Sequence, residues 1–334
     1  DGQQTRGWSG YLPPDELLHS FDPPEGIIVS ANERIVDDSY PHYLSALFEP
    51  PFRARRAREV LCRVDRHSVE SLRQLQLDDY SAWADQLNRE VLQPLGPSLR
   101  SAEARTALAR LSCWDGRFAA EATAPAVFFA FVVAFARRTM RRELGPELAH
   151  AVLDLYTTPA LTVQKMLVDN ADHWFAVGST DAKRAAFVGL VEDSLTEAID
   201  DLRRRCGKDP RRWVWGRIHR RTQRHMFHGI PGLRRLFSVG FVPRPGDGTT
   251  VNSGVVRFSD PFDQHGGADA RLIVDLGDFD RCRWVLCTGQ AGDPLSACYR
   301  DQFRLLRRGE DRPWPFTRAA IHAQARRRLT LEPH

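Results

Sequence analysis

The chain has 334 residues, 42% of them apolar and 27% charged, with 47 Lys+Arg against 43 Asp+Glu for a net charge of +4. That length supports one large domain or two ordinary ones around a buried core, and the near-average charge with 10% aromatics excludes wholesale disorder, a collagen-like chain and a coiled-coil rod. Only Lys165, Lys183 and Lys208 are lysines, so the positive charge is almost entirely arginine, which by itself is weak ground for nucleic-acid binding.

Residues 1–7 (DGQQTRG) read as a loop entered midway, as in a processed product or a fragment. Residues 26–31 (GIIVSA) form a short apolar run between Pro23-Pro24 and the polar Asn32-Glu33-Arg34, the pattern of a buried strand. From about residue 43 to 236 apolar residues recur at three and four positions, so this stretch is predicted to be helical. Breaks at Pro94/Pro97, Asp115-Gly116, Gly145-Pro146, Gly178 and residues 207–210 divide it into six to eight helices. Its longest apolar run, residues 124–136 (APAVFFAFVVAFA), is too short to span a bilayer and reads as a buried helix with Pro125 in its first turn; Arg137 and Arg138 suit its end if it stops there. After Gly240 the pattern changes. Residues 249–258, 270–276 and 283–288 are β-branched or apolar runs separated by glycine turns, and a closing helix is predicted from Thr317 as its cap.

The expected class is therefore α+β, with residues 26–31 joining the later strands in one sheet. The division is residues 1–41 as the strand segment, 42–236 as the mainly helical region and 237–334 as the β-rich end with its helix, all within one domain. Six cysteines, Cys62, Cys113, Cys206, Cys282, Cys287 and Cys298, are too few for a disulfide scaffold and form no CxxC. Buried free thiols are expected, with one or two disulfides left open; Cys282 and Cys287, five apart in a strand-like run, point to opposite faces.

The candidate chemical groups have ordinary explanations. His219, His225 and His228 lie on a predicted helix over residues 209–227, but no His-Glu-x-x-His is present, and Arg217, Arg220, Arg221 and Arg224 would repel a cation. Asp275, Asp278 and Asp280 lack calcium-loop spacing and suit turns and caps. The pairs Asp37/Asp38 and Asp78/Asp79 read as solvated. Residues 289–292 (GQAG) lack the Lys-Ser/Thr of a phosphate loop and read as a turn, and no G-x-S-x-G elbow occurs. Asn32, at the end of an apolar run, either turns the chain or donates its side-chain N–H to a developing oxyanion.

Several segments together resemble the penicillin acylase family of N-terminal nucleophile hydrolases. They are WSGYLPPDELLHSFDPPEGIIVSAN (8–32), Tyr40-Pro41, FRARRAREVL (52–61), LQLDDYSAWA (75–84), Trp114-Asp115-Gly116, WVWGRIH (213–219), and VNSGVVRF through GQAGDPLSACYRDQ (251–302). In this order over nearly the whole chain they are specific. The resemblance implies the four-layer αββα fold with a large helical insertion, and matches only the later part of the family's β-subunit. It implies as partners the α-subunit and the first stretch of the β-subunit, which carries the N-terminal Ser nucleophile. The isolated chain, opening on Asp1, is then expected to be inactive. The Ser hydroxyl attacks an amide carbonyl while its own α-amine accepts the proton, and no cofactor is required. The family's oxyanion Asn matches Asn32, and the Arg that helps hold it matches Arg53.

Departures are Ala291, where Ser is frequent, and Cys298, where His is common. Some members bind calcium through an Asp shortly after Tyr-Pro; here His42, Tyr43, Leu44 and Ser45 follow, which leaves structural calcium open. The implied substrate is a small-molecule acyl amide, with no nucleic acid or membrane as partner and a periplasmic or secreted location. The rival expectation is a non-enzymatic Arg-rich module whose helix over residues 211–227 contacts anionic polymers.

Overall fold

The computed structural model describes residues 10–155, 158–169 and 181–332. Residues 1–7 and the predicted break at Gly178 lie outside them. Residues 10–50 run largely extended over the surface, with one short turn of helix at Pro14–Glu16. The predicted strand over residues 26–31 does not form: its backbone pairs with no strand among the described residues, and Ile28 is mostly exposed. An apolar run can extend on its own, but it becomes a strand only where a neighbouring backbone satisfies its N–H and C=O groups.

The helices begin at α1 (Phe52–Leu61), entered through Pro50-Pro51. Then come α2 (Val69–Gln76), capped reciprocally by Ser68 and Ser71, and α3 (Ala82–Leu87), capped by Ser81. A wide turn at Asn88–Leu92 leads to α4 (Gln93–Leu95), followed by α5 (Ala102–Leu111), α6 (Ala124–Leu153), α7 (Thr158–Gln164) and α8 (Asp181–Cys206). Pro125 stands in the first turn of α6 as expected, and every residue from Pro125 to Ala136 is buried, so this helix is apolar all round because it is enclosed all round. It does not stop at Arg137. Arg137 donates to the Phe258 carbonyl at 3.0 Å and Arg138 pairs with Glu197 at 2.7 Å, and the helix runs on to Gly145, whose φ of 75° breaks it.

The predicted helix over residues 209–227 is overturned. The stretch divides into a turn at Pro210–Arg212, a single helical turn α9 (Trp215–Ile218), strand β1 (Arg220–Gln223) and a turn at Met226–Gly229. After α10 (Leu233–Phe237) comes β2 (Val239–Pro243). β1 lies between β2, antiparallel with Arg221 opposite Val242, and β4 (Asp263–Gln264), parallel with Arg221 opposite Gln264. β3 (Gly254–Val255) pairs with β5 (Gly266–Gly267), and β6 (Ala270–Ile273) pairs with β7 (Arg283–Leu286), which pairs with β8 (Arg312–Pro313). Among the described residues the strands thus form three small sheets, and they are shorter than the apolar runs suggested. Between β7 and β8 lies α11 (Asp301–Arg308), and α12 (Arg318–Gln324) closes the chain with Thr317 accepting from the Ala320 N–H, as expected. Helix and sheet in this order make the class α+β.

Helix α6 is the centre of the core, with α5 and α8 packed on it. Trp83, Phe118 and Phe129 extend the core outward: Trp83 meets Phe128 at 5.6 Å, Phe118 meets Trp215 at 5.3 Å, and Phe129 meets Phe258 at 5.6 Å, all near edge-on. All six cysteines are free. Only Cys206 and Cys282 are buried, while Cys62, Cys113 and Cys298 are exposed, so the thiols are free as expected but mostly not buried.

Candidate active site

Helix α1 places the candidate arginine. Phe52 is buried and stacks on Trp83 at 5.8 Å, which seats the first turn of α1 against the core. Phe52, Ala54 and Arg56 point inward, Arg55 and Arg58 face solvent, and Arg53 is half-buried at the edge of the core face. From there Arg53 Nη2 donates to the Ala31 carbonyl at 2.7 Å and to Asn32 Oδ1 at 3.1 Å.

Asn32 itself has φ of +68°, the left-handed region that Asn tolerates better than most residues. Its carbonyl accepts from the Glu49 N–H at 2.9 Å. Backbone and side chain are therefore both held, the latter by its oxygen. The Nδ2 end, with no partner among the described residues, is left as a hydrogen-bond donor facing outward from an exposed residue. An amide tied this way can stabilise negative charge that develops on an oxygen placed before it.

Glu49 is a neighbour that the sequence did not single out. Burial pushes its carboxyl up while the Arg53 charge pulls it down, and its Oε2 is enclosed without a hydrogen-bond partner. Its position just ahead of the Pro50-Pro51 step, which fixes the entry into α1, was the available signal.

The other candidates are dispersed. His219 is fully enclosed, donates from Nδ1 to the Arg244 carbonyl at 3.0 Å and stacks on Trp215 at 4.4 Å; burial drives its pKa down to about 4. His225 stacks on Phe237 at 4.7 Å, and His228 Nδ1 lies 2.9 Å from Ser238 Oγ, so the three histidines form no common ligand set. Asp275 accepts from Gly277, Asp278 caps the turn at Phe279–Arg281, and Asp280 accepts from Phe316 and from both Thr317 groups, the turn and cap duties expected of them. Asp78 and Asp79 are not simply solvated. Asp78 is buried against Arg56 at 2.7 Å, and Asp79 pairs with Arg117 at 2.8 Å, because the loop after α2 folds back over α1. The Gly289–Ala291 backbone closes as a turn, with the Gln290 and Ala291 N–H groups both on the Cys298 carbonyl.

Around Tyr40-Pro41 the polar groups are turned onto Glu16. Tyr40 Oη donates to the Glu16 carbonyl at 3.2 Å and His42 lies 2.9 Å from the Glu16 carboxylate. One group of metal-type side chains gathers among the described residues, Asp260, Asp263 and His265; Arg224 pairs with Asp263, and His265 lies 3.4 Å from Asp260. No described helix is long and apolar enough to cross a membrane.

The fold is that of a penicillin acylase. The thermostable penicillin G acylase from Alcaligenes faecalis superposes with a TM-score of 0.58 at 17% identity, covering 98% of this chain and 61% of that one. The family model for penicillin amidase matches residues 1–323, and the chain belongs to the penicillin amidase family. Among its relatives, the acyl-homoserine lactone acylase QuiP of Pseudomonas putida is 30% identical over 98% of this chain and 42% of its own length. The penicillin acylase 2 proenzyme of Pseudomonas sp. (strain SE83) is 31% identical over 88% of this chain and 37% of its own. The chain thus spans about two fifths of the length of these curated relatives.

Proposed function

We propose that the enzyme containing this chain hydrolyses the amide bond between an acyl side chain and a small molecule, and that Asn32 supplies a donor of its oxyanion hole. The observation that carries this is the tie between Arg53 and Asn32 Oδ1, which leaves Nδ2 as the free end of the amide. The nucleophile in this proposal is an N-terminal Ser from outside residues 1–334, its α-amine serving as the base. As the carbonyl carbon becomes tetrahedral, its oxygen gains charge, and a donor already in place stabilises that charge without reorganising. Arg53 acts as the positioning group.

Membership of the penicillin amidase family and the names of the relatives support a substrate among β-lactam side-chain amides and N-acyl homoserine lactones, with acylated peptides as a third candidate. The partners in this reading are an α-subunit and the first part of the β-subunit, the location is periplasmic or secreted, and this chain alone has no amidase activity. Attack by the Ser and proton transfer to its α-amine call for no metal or cofactor. In the complete, processed enzyme Asn32→Ala should lower kcat by ~10²–10³ with little change in KM, as expected for a lost oxyanion donor. An unchanged kcat with only KM altered removes Asn32 from the role.

A further inference from the structure

Three arginines meet inside the β-rich region. Arg221 comes from β1, Arg244 follows β2, and Arg271 lies on the inner face of β6; their exposures are 5%, 5% and 7%. Arg221 stands opposite Val242, two residues before Arg244, and pairs with Asp269, two residues before Arg271; at this range the charges repel, Arg271 and Arg221 acting against Arg244, and Arg221 against Arg271.

Compensation is sparse. Asp269, largely exposed, pairs with Arg221 Nη2, which also donates to Gln223 Oε1 at 3.3 Å. Arg271 Nη2 donates to Asn252 Oδ1 at 2.7 Å, a neutral partner. The Arg244 guanidinium makes no hydrogen bond or ion pair among the described residues. Arg221 Nη1, Arg244 Nε and Arg271 Nε are all enclosed without a partner. Backbone comes close to Arg221 Nη1 at Gly267, where a Cβ would stand 2.8 Å from that nitrogen.

A buried charge persists only when paired and hydrogen-bonded, and two of these three lack an acid. Guanidinium forks match the oxygens of carboxylates and tetrahedral oxoanions. We propose that Arg221, Arg244 and Arg271 form an internal anion site that takes one carboxylate or oxoanion, bridging β1 and β6, which belong to different sheets. The occupant is either a free oxoanion or a carboxylate side chain from another segment of the enzyme.

The test uses the complete enzyme and its Arg244→Met variant, melted in sodium sulfate and in sodium chloride at equal ionic strength, with crystals soaked in selenate. A sulfate-dependent rise of the melting midpoint that the variant loses, with an anomalous selenium peak among the three guanidinium groups, supports a free oxoanion. If both proteins respond alike to sulfate, a lower midpoint in the variant together with a carboxylate seated among the arginines supports the side-chain source. A common response with an equal or higher midpoint in Arg244→Met, or with neither anion nor carboxylate at the arginines, overturns the proposal, since removing a truly unpaired buried charge should stabilise the fold.

Discussion

Arg53 reaches back along the chain to Asn32, donating to its Oδ1 at 3.1 Å and to the preceding Ala31 carbonyl at 2.7 Å from the same Nη2. One guanidinium nitrogen thus fixes both the backbone and the side chain at the point where the chain takes a left-handed turn. The arrangement is directional: it holds the amide by its oxygen and presents its nitrogen.

If Arg53 works by holding Asn32, its loss should be felt through that residue. In the complete enzyme Arg53→Lys is expected to lower kcat by roughly tenfold, because an ammonium has neither the planar fork nor the fixed direction of the guanidinium. A double-mutant cycle with Asn32→Ala should show a coupling of about 1–2 kcal/mol in the activation free energy. Strict additivity of the two kcat losses would separate Arg53 from Asn32.

The buried pair Arg56–Asp78 anchors α1 to the loop after α2, and the Arg56 guanidinium also lies 4.6 Å from the centre of the Tyr80 ring. Asp78→Ala strands most of the Arg56 charge, with Glu59 at the helix surface as the remaining partner. A destabilisation of about 3 kcal/mol is expected by urea unfolding. Replacing both residues by apolar ones, Arg56→Met with Asp78→Leu, should cost clearly less than Asp78→Ala alone. A double variant as unstable as the single one argues that the pair stabilises beyond mutual neutralisation.

The pH response should divide between two enclosed groups. Burial holds His219 neutral with a pKa of about 4, below the ordinary 6.5, so its contribution is present above pH 6.5 and is lost as pH falls through 4, a change of about 3 kcal/mol. Asp247 is opposite in sign. Burial raises it to about 6, against the hydrogen bonds from Thr249, so its contribution is full below about 3.8 and is lost as pH rises through 6. Between pH 4 and 6 the two partly cancel. Relative to the wild-type enzyme, His219→Gln should therefore gain stability as pH falls from 7 to 4, most visibly in an Asp247→Asn background. Parallel stability curves for the two proteins across that window would exclude His219 as the acid-sensitive group.

Much of the helical region was legible because its determinants are local. The run over residues 124–136, apolar on every side with Pro125 at its start, could only be an enclosed helix, and Gly145 broke it because a left-handed φ suits glycine. Thr317 capped the last helix through its own side chain, three residues from the N–H it accepts. The resemblance to the penicillin acylase family likewise rested on ordered segments that can be read without coordinates, and it named Asn32 and Arg53.

What failed to show in the sequence depended on partners far along the chain. Residues 26–31 have the composition of a strand, but no described strand pairs with them. Residues 209–227 have a helix-like spacing, yet Arg220–Gln223 becomes a strand because Val239–Pro243 and Asp263–Gln264 flank it. The enclosure of Asp78 by Arg56, of Arg221 by the sheets, and of Glu49 beside Arg53 follows the same rule. The sequence alone determined where the chain could turn, cap and bury a helix, since those choices are made within a few residues. Which extended segments found a ladder, and which charges were shut away from water, only the tertiary structure decided, because hydrogen bonds and desolvation are settled by whatever packs alongside.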